Sequence, residues 1–207
     1  MRARMPTDRT MLSVHSLSRL HITASFELLR GECIALQGPS GSGKTLLLRA
    51  IADLDPNEGT VKLDGALRET MPAPLWRRQV TFVAAEPGWW ADTVRQHFAD
   101  WEAAAPLIEE LGISRSCGDW NIQRLSTGEK QRLRLVRALA LKSRVLLLDE
   151  PTAALDSDAT TAVERMIAER AENGTGVIWV THNDAQARRV ASRRFAMKGG
   201  RMTQETA

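Results

Sequence analysis

The chain has 207 residues, with 28 lysines and arginines against 25 aspartates and glutamates, so its formal net charge is +3. This charge is too small to indicate a nucleic-acid partner. A composition of 43% hydrophobic and 26% charged residues excludes disordered and membrane-embedded classes. A membrane span needs about 20 mostly apolar residues. Even the longest strongly aliphatic runs of this chain, such as residues 145–148, are far shorter. The length suits a single domain of about 100 to 200 residues, which we expect to extend over residues 1–207.

Short aliphatic runs alternate with helical patterns along the chain. Residues 11–17 alternate as an edge strand does, and residues 32–37 form a buried-strand run that ends in a glycine-rich turn before a helical pattern at 44–54. This alternation predicts an α/β fold with a mostly parallel sheet flanked by helices. Further strands are expected at 60–63, 80–83, 145–148 and 177–180, and further helices at 157–172 and 183–191.

The pattern changes between Pro87 and Arg124, where tryptophan-rich and polar helical pieces replace the strands. We therefore expect a helical insertion on one side of the sheet. A further helical pattern follows at residues 129–141. The helical subdomain that we predict, which includes most of this pattern, extends over residues 87–138.

The glycine-rich turn fits the pattern G-x-x-x-x-G-K-[ST] at every fixed position, directly between a predicted strand and a predicted helix. In such a loop the backbone N–H groups point at phosphates, and the positive end of the helix adds to the anion site. Lys44 is expected along the β- and γ-phosphates, and the Thr45 hydroxyl is a predicted Mg²⁺ ligand. The predicted nucleotide-binding residues are Gly38, Pro39, Ser40, Gly41, Ser42, Gly43, Lys44 and Thr45.

Two carboxylates, Asp149 and Glu150, follow the aliphatic run at 145–148. They stand where a strand of an open α/β sheet ends, which is where ligands of such sheets bind. Asp149 is suited to holding Mg²⁺ through its waters, and Glu150 to orienting or deprotonating an attacking water. Together with the phosphate loop, this pair predicts a nucleoside triphosphatase that uses Mg²⁺.

Residues 125–132, LSTGEKQR, resemble the signature motif of ATP-binding cassette (ABC) ATPases, whose usual form is LSGGQ. The resemblance covers nearly the whole chain: the phosphate loop corresponds to the Walker A motif, residues 145–149 to Walker B and residues 154–156 to the D-loop. It implies a P-loop NTPase fold with a RecA-like, mostly parallel sheet, an N-terminal antiparallel β portion and the inserted helical subdomain. It also implies ATP as the nucleotide.

The same resemblance implies roles for individual residues. Glu150 would be the catalytic glutamate, assisted by Lys44, and His182 would contact the γ-phosphate and hold Glu150 and the water in line. Asp156 would link two ATP sites, because the family sandwiches two ATP molecules in a head-to-tail dimer with a second copy or another cassette. The signature residues that would face the ATP of the second subunit are Ser126, Thr127, Gly128 and Glu129.

A separate transmembrane permease subunit is the partner that the resemblance implies, with the chain cytoplasmic and peripheral on the inner face of the cell membrane. Pro87 and residues 92–94 resemble single-cassette exporter subunits that pair with a permease of the metal-export type. Trp89 and Trp90 either anchor that interface or pack inside the insertion. The alternative function is a soluble ABC-type mechanochemical ATPase acting on nucleic acid or protein complexes.

Three positions depart from the family pattern. Ala85 stands where the Q-loop glutamine is expected, and Glu86 either replaces it by a shift of one place or points to solvent. The chain has no tyrosine to stack on adenine, which leaves His21 or Arg19 for that contact. Thr127 replaces the first signature glycine, and we expect turnover to survive this change.

Overall fold

The structure, a computed structural model, describes residues 10–86 and 88–205. The described residues form ten strands in one mixed sheet and six α-helices. The strands are β1 (Thr10–Arg19), β2 (Ile22–Leu29), β3 (Cys33–Gln37), β4 (Glu58–Leu63), β5 (Ala66–Leu67), β6 (Val80–Val83), β7 (Val145–Asp149), β8 (Gly176–Val180), β9 (Arg193–Lys198) and β10 (Arg201–Gln204). The helices are α1 (Lys44–Ile51), α2 (Ala73–Gln79), α3 (Trp101–Glu110), α4 (Thr127–Ala140), α5 (Ser157–Glu172) and α6 (Asp184–Val190).

The strand order is β5-β4-β1-β2-β10-β9-β3-β8-β7-β6. Strands β6, β7, β8, β3 and β9 run parallel, whereas β1 pairs antiparallel with both β2 and β4. The expected fold class and its N-terminal antiparallel portion are therefore confirmed. The prediction that residues 11–17 form an edge strand is wrong, because β1 has partners on both sides. An antiparallel strand with one solvated face alternates in the same way as an edge strand does, so the pattern did not separate the two.

Two hydrophobic cores lie on opposite faces of the sheet. Successive residues of the parallel strands alternate between them: Leu147 and Val180 face the core that contains α1, whereas Leu148 and Trp179 face the core shared with α4 and α5. Burial on both faces explains why β7 and β8 read as continuous apolar runs. The sheet therefore holds its C-terminal strand ends rigidly between two layers.

The stretch between β6 and β7 is the helical insertion. Its described residues, 84–86 and 88–144, contain α3, α4 and several 3-10 turns but no named strand. Its apolar side chains pack into the second core, against α5 and one face of β7 and β8. Pro87, where the subdomain is expected to begin, lies outside the described residues, and α4 continues to Ala140, two residues beyond the predicted end at 138. The subdomain bounds remain a prediction.

No helix within residues 10–86 and 88–205 combines the length and the apolarity that crossing a bilayer would require. The helix predicted at 44–54 ends earlier, at Ile51, and is followed by Asp53 in the left-handed region with φ of 57°.

Candidate functional site

The glycine-rich loop between β3 and α1 has a backbone that other residues could not adopt. Gly38, Gly41 and Gly43 have φ of 149°, 74° and 103°. A Cβ at Gly38 would lie 2.5 Å from the Met197 carbonyl oxygen, and one at Gly43 would lie 2.2 Å from Ile22 Cγ2. Gly43 caps α1 without a side-chain hydrogen bond, so the first N–H groups of this helix stay available to an anion.

Lys44 is folded over this loop. Its Nζ donates hydrogen bonds to the carbonyl oxygens of Gly38 at 2.8 Å and Pro39 at 3.0 Å. Burial lowers the pKa of Lys44, while the carboxylates of Glu150 and Asp149 oppose that shift. The Ser42 hydroxyl is buried without a hydrogen-bond partner among the described residues. A buried cation and an unpaired hydroxyl beside the N-terminus of α1, which has no side-chain cap, fit a bound phosphate.

Thr45 and Asp149 meet beside the loop. The Thr45 hydroxyl donates a hydrogen bond to Asp149 Oδ2 at 2.7 Å, across from α1 to the end of β7. Burial raises the pKa of Asp149, although the Thr45 hydrogen bond acts in the opposite direction. A hydroxyl and a carboxylate are the hard oxygen ligands that Mg²⁺ prefers, so this pair fits the expected metal position.

Glu150 and His182 form a second pair at neighbouring strand ends. Glu150 directly follows β7, has φ of 48°, and donates its backbone N–H to the Val180 carbonyl oxygen at 3.2 Å. Glu150 Oε1 then lies 2.8 Å from His182 Nε2. Both side chains remain partly open to solvent, at 33% and 47% exposed. The structure thus brings together the two residues that the sequence predicted to cooperate.

The signature residues open α4 rather than forming a glycine turn. Ser126 caps this helix, with its Oγ accepting from the Glu129 N–H at 3.2 Å, while Glu129 Oε2 accepts from the Ser126 N–H at 2.8 Å. The Ser126 N–H and the Ser126 hydroxyl, which both donate to Glu129 Oε2 at 2.8 Å, lower the pKa of Glu129. Gly128 has ordinary helical φ, and a Cβ there would meet nothing closer than 3.5 Å. Thr127 is exposed in the first helical turn, so its β-branched side chain causes no strain within this chain.

Asp156 has a local role in the structure. Its Oδ1 accepts a hydrogen bond from the Ala159 N–H at 2.8 Å and caps α5. At the expected Q-loop position, Ala85 and Glu86 are both exposed, and the buried Arg134 donates to the carbonyl oxygens of Ala84 and Ala85. Glu86 makes no hydrogen bond or ion pair within residues 10–86 and 88–205, and whether it replaces the Q-loop glutamine stays an open prediction.

The two candidates for the adenine contact differ in their surroundings. Arg19 is engaged elsewhere, because it donates to the Pro56 carbonyl oxygen at 2.8 Å and lies 3.5 Å from Asp55. His21 is exposed in the turn between β1 and β2, and a Cβ at Gly43 would lie 3.6 Å from its Nε2. His21 is therefore the candidate that lies beside the phosphate loop.

The tryptophans after the Q-loop position also differ from one another. Trp89 packs against the second core, whereas Trp90 is 68% exposed. The Arg137 guanidinium lies 5.2 Å from the Trp89 ring centroid and 4.8 Å from that of Trp90. Trp89 thus packs inside the insertion, whereas the interface role of the exposed Trp90 stays a prediction.

Two buried glutamines that the sequence analysis missed also reach the site. Gln131 of α4 donates to the Glu150 carbonyl oxygen at 3.1 Å and accepts from the Ala154 N–H at 3.0 Å. Gln186 of α6 contacts the loops that follow β7 and β8. Their signal in the sequence is weak, because a polar residue on a helix is ordinarily solvent-exposed.

Comparisons with known proteins agree with this geometry. A family profile described as "ABC transporter" matches residues 22–153. The probable iron export ATP-binding protein FetA of Escherichia coli (strain K12) is 36% identical over 171 residues, which cover 77% of this chain and 76% of that protein. The Fe(3+) ions import ATP-binding protein FbpC of Pseudomonas fluorescens (strain Pf0-1) is 34% identical over 181 residues, 81% of this chain and 52% of that protein.

A solved structure titled as the ATP binding subunit of an ABC transporter superposes with a TM-score of 0.85 at 25% identity, covering 95% of this chain and 90% of the other. The profile match and the identity to FetA extend over most of the chain. The chain therefore belongs to the ABC transporter family, and it is an ATP-binding, ATP-hydrolysing subunit of the kind that drives transport.

Proposed function

We propose that this chain hydrolyses ATP at a composite site formed with a second cassette, a further copy or a different chain, and so drives a separate membrane permease. The observation that carries the proposal is the 2.8 Å pairing of Glu150 with His182 beside the 2.7 Å pairing of Thr45 with Asp149. A proton acceptor, its orienting partner and two oxygen ligands for a cation thereby converge at one edge of the sheet.

In this proposal the phosphate loop binds ATP through its N–H groups, and Lys44 exchanges its carbonyl contacts for the β- and γ-phosphates. Glu150 accepts a proton from the attacking water as the water oxygen bonds to the γ-phosphorus and the bond to the bridging oxygen of ADP breaks. His182 hydrogen-bonds the γ-phosphate and keeps Glu150 in line. The 2.8 Å contact between the two side chains supports this division of roles.

Thr45 and Asp149 would hold Mg²⁺ in this site. The ion supplies neutralisation of the charge that develops on the β- and γ-phosphate oxygens. Because Asp149 is buried and Thr45 opens α1, both ligands are held by the sheet and helix rather than by a loose loop.

The signature residues act on the other subunit's nucleotide. Ser126 and Thr127 are exposed at the start of α4, and a helix N-terminus attracts a phosphate. The chain's own phosphate loop already supplies one complete cradle, so the signature serves a second ATP across a head-to-tail interface. Asp156, which caps α5 in the single chain, would link the two sites there.

The permease would dock beside Trp90, and the chain would then lie on the cytoplasmic side, peripheral on the inner face of the cell membrane. The exposed Trp90 ring stacks on the half-buried Arg137 guanidinium, and such an exposed aromatic ring is typical of interface anchors. A permease of the metal-export type fits the identity to the probable iron export subunit. The names of FetA and FbpC are those of transport subunits, which favours the transport role over the soluble mechanochemical alternative.

The proposal is tested with Glu150→Gln. This variant loses the proton acceptor but keeps the phosphate cradle, so we expect ATP hydrolysis to fall by about 10²-fold or more while ATP binding persists. Size-exclusion chromatography with light scattering should then show a dimer that forms with ATP and dissociates with ADP.

Lys44→Ala is the matched control, because it removes the phosphate contact and should abolish the ATP-dependent dimer. A Glu150→Gln protein that hydrolyses ATP at the wild-type rate, or that binds ATP and stays monomeric, would contradict the proposed site.

A further inference from the structure

A buried glutamine joins three elements behind the catalytic pair. Gln186 of α6 is only 5% exposed. Its Oε1 accepts a hydrogen bond from the Thr181 hydroxyl at 2.7 Å, and its Nε2 donates to the Thr152 hydroxyl at 2.9 Å and to Glu164 Oε1 at 2.9 Å. Both donors and one acceptor lone pair of the amide are therefore in use.

The hydroxyls that Gln186 holds lie next to the proposed catalytic residues in the chain. Thr181 directly precedes His182, and Thr152 follows Glu150 by two residues. Thr181 Oγ1 also accepts from the Asn183 N–H at 3.1 Å, so the loop is held on both sides of His182. The amide of Gln186 is thus a side-chain link between the loop that carries Glu150 and the loop that carries His182.

We propose that Gln186 is a positioning residue for ATP hydrolysis, which keeps Glu150 and His182 within hydrogen-bond distance by tying their loops together. This inference rests on the roles proposed for those two residues. Gln186 touches neither the nucleotide nor the reacting water in the proposed site. It acts through Thr152 and Thr181.

An amide is the group that this position requires. A carboxylate at 186 would still accept from the Thr152 and Thr181 hydroxyls, but it would face the carboxylate of Glu164, whose charge is already balanced by Arg189 at 2.8 Å and 3.0 Å. An aliphatic residue of similar size would leave the Thr181 hydroxyl without its acceptor in a buried setting, which is costly.

The loop after β7 is also held from the opposite side. Gln131 of α4 bonds the backbone of Glu150 and Ala154, at 3.1 Å and 3.0 Å, whereas Gln186 holds the Thr152 side chain between them. With Gln131 intact, loss of Gln186 releases this loop only on the side that faces His182. The expected defect is therefore in the pairing of Glu150 with His182 and not in folding of the loop.

The test measures ATP hydrolysis and ATP affinity of the full-length chain, at a concentration at which the wild-type protein turns over. Gln186→Leu should lower kcat by about 10-fold to 100-fold and change the ATP dissociation constant by less than about 3-fold, because the phosphate loop is untouched. A purely structural role would lower the folded fraction without lowering kcat per folded molecule. Gln204→Leu, at an exposed glutamine of β10, is the matched control and should leave both values unchanged.

A charge exchange supplies the second arm. Gln186→Glu should lower kcat as Gln186→Leu does, and adding Glu164→Gln should restore kcat to within about 3-fold, since an amide and a carboxylate again face each other. Glu164→Gln alone keeps an acceptor for Gln186 and should lose less activity than Gln186→Glu.

Wild-type kcat in folded Gln186→Leu would overturn the inference. If that variant does not fold, the exchange decides: failure of Glu164→Gln to recover the activity of Gln186→Glu overturns it, and recovery supports it. These outcomes are separate from the proposed function, which falls if Glu150→Gln retains hydrolysis or binds ATP and stays monomeric.

Discussion

Single side chains in this protein are held in contacts that ATP would replace. Lys44 Nζ bonds two carbonyl oxygens of its own loop, and its burial lowers the pKa of its ammonium group. Because phosphate oxygens are stronger partners for an ammonium group than carbonyls are, the exchange favours bound nucleotide. The same logic applies to the Ser42 hydroxyl, which is buried without a partner among the described residues. Lys44 and Ser42 therefore gain stronger hydrogen bonds when ATP binds, and this gain adds to the free energy of ATP binding.

His21 is the residue with which we expect the adenine base to stack. It is exposed next to Gly43, and no tyrosine exists to take the role. His21→Ala should raise the dissociation constant of ATP by about 10-fold, since stacking contributes about 1 to 3 kcal/mol per base. Equilibrium titration with ATP measures the change.

Leu20→Ala is the control for this prediction, because Leu20 is the neighbouring side chain and is 81% exposed. It should leave ATP affinity unchanged. Equal affinity in His21→Ala and the wild-type protein would remove His21 from the base contact.

The phosphate loop, the signature and the D-loop each lie at the N-terminus of a helix. Gly43 leaves the N-terminus of α1 without a side-chain cap, whereas Ser126 and Glu129 cap α4 reciprocally. The glutamate at 129 is thus a change from the family's glutamine that strengthens the helix start. Asp156 caps α5 with its own side chain alone, so residues of both the signature and the D-loop are also helix caps.

Glu129→Ala should lower the free energy of unfolding by about 1 kcal/mol at neutral pH, the usual effect of losing a cap. The hydrogen bonds from Ser126 hold the pKa of Glu129 below its ordinary value of 4.5. A folded-state pKa below the unfolded one stabilises the protein above the ordinary pKa, and that stabilisation is lost as pH falls through the folded value. The difference from wild type should therefore shrink below about pH 4 in urea titrations.

Glu129→Gln is the comparison here, because the amide keeps an acceptor but no charge. It should lose less stability than Glu129→Ala, and its difference from wild type should change less with pH than that of Glu129→Ala. A wild-type free energy of unfolding that is matched by Glu129→Ala across this range would contradict the capping account.

The sheet separates two packed layers of the molecule, one on each of its faces. The phosphate loop and α1 lie over one face, and α4, α5 and the helical insertion pack on the other. Strands β7 and β8 contribute to both cores, so the loops that carry Glu150 and His182 begin at well-packed strand ends. The insertion presents the Trp90 ring outward from the second layer, stacked on the half-buried Arg137.

Trp90→Ala should weaken association with the permease while leaving ATP binding intact, because Trp90 is exposed and remote in sequence from the phosphate loop. Buried aromatic anchors at interfaces contribute about 2 kcal/mol or more. The measurement is the amount of permease that co-purifies with the tagged chain from membranes.

Trp120→Ala is the matched control, since Trp120 is 38% exposed in the same insertion and is not stacked on Arg137. Undiminished co-purification of Trp90→Ala would place the docking surface elsewhere.

The phosphate loop, the carboxylates Asp149 and Glu150, and the family could all be recognised from the amino-acid sequence alone. These features depend on local spacing: a glycine pattern between strand and helix, and carboxylates at the end of an apolar run. The strand at 80–83 and the helix at 157–172 were predicted with the bounds that the structure has. These bounds could be predicted because hydrophobic periodicity and turn chemistry depend on only a few neighbouring residues.

Strand pairing and the buried side-chain hydrogen bonds could be read only from the tertiary structure. The pairing of β1 with β4 and that of β10 with β2 depend on partners far along the chain. The same holds for Gln186, whose partners Thr152 and Glu164 come from other elements. A sequence pattern records which face of an element is apolar, but it does not record which polar groups from distant segments satisfy one another's hydrogen bonds. That pairing is set when the two layers close on the sheet.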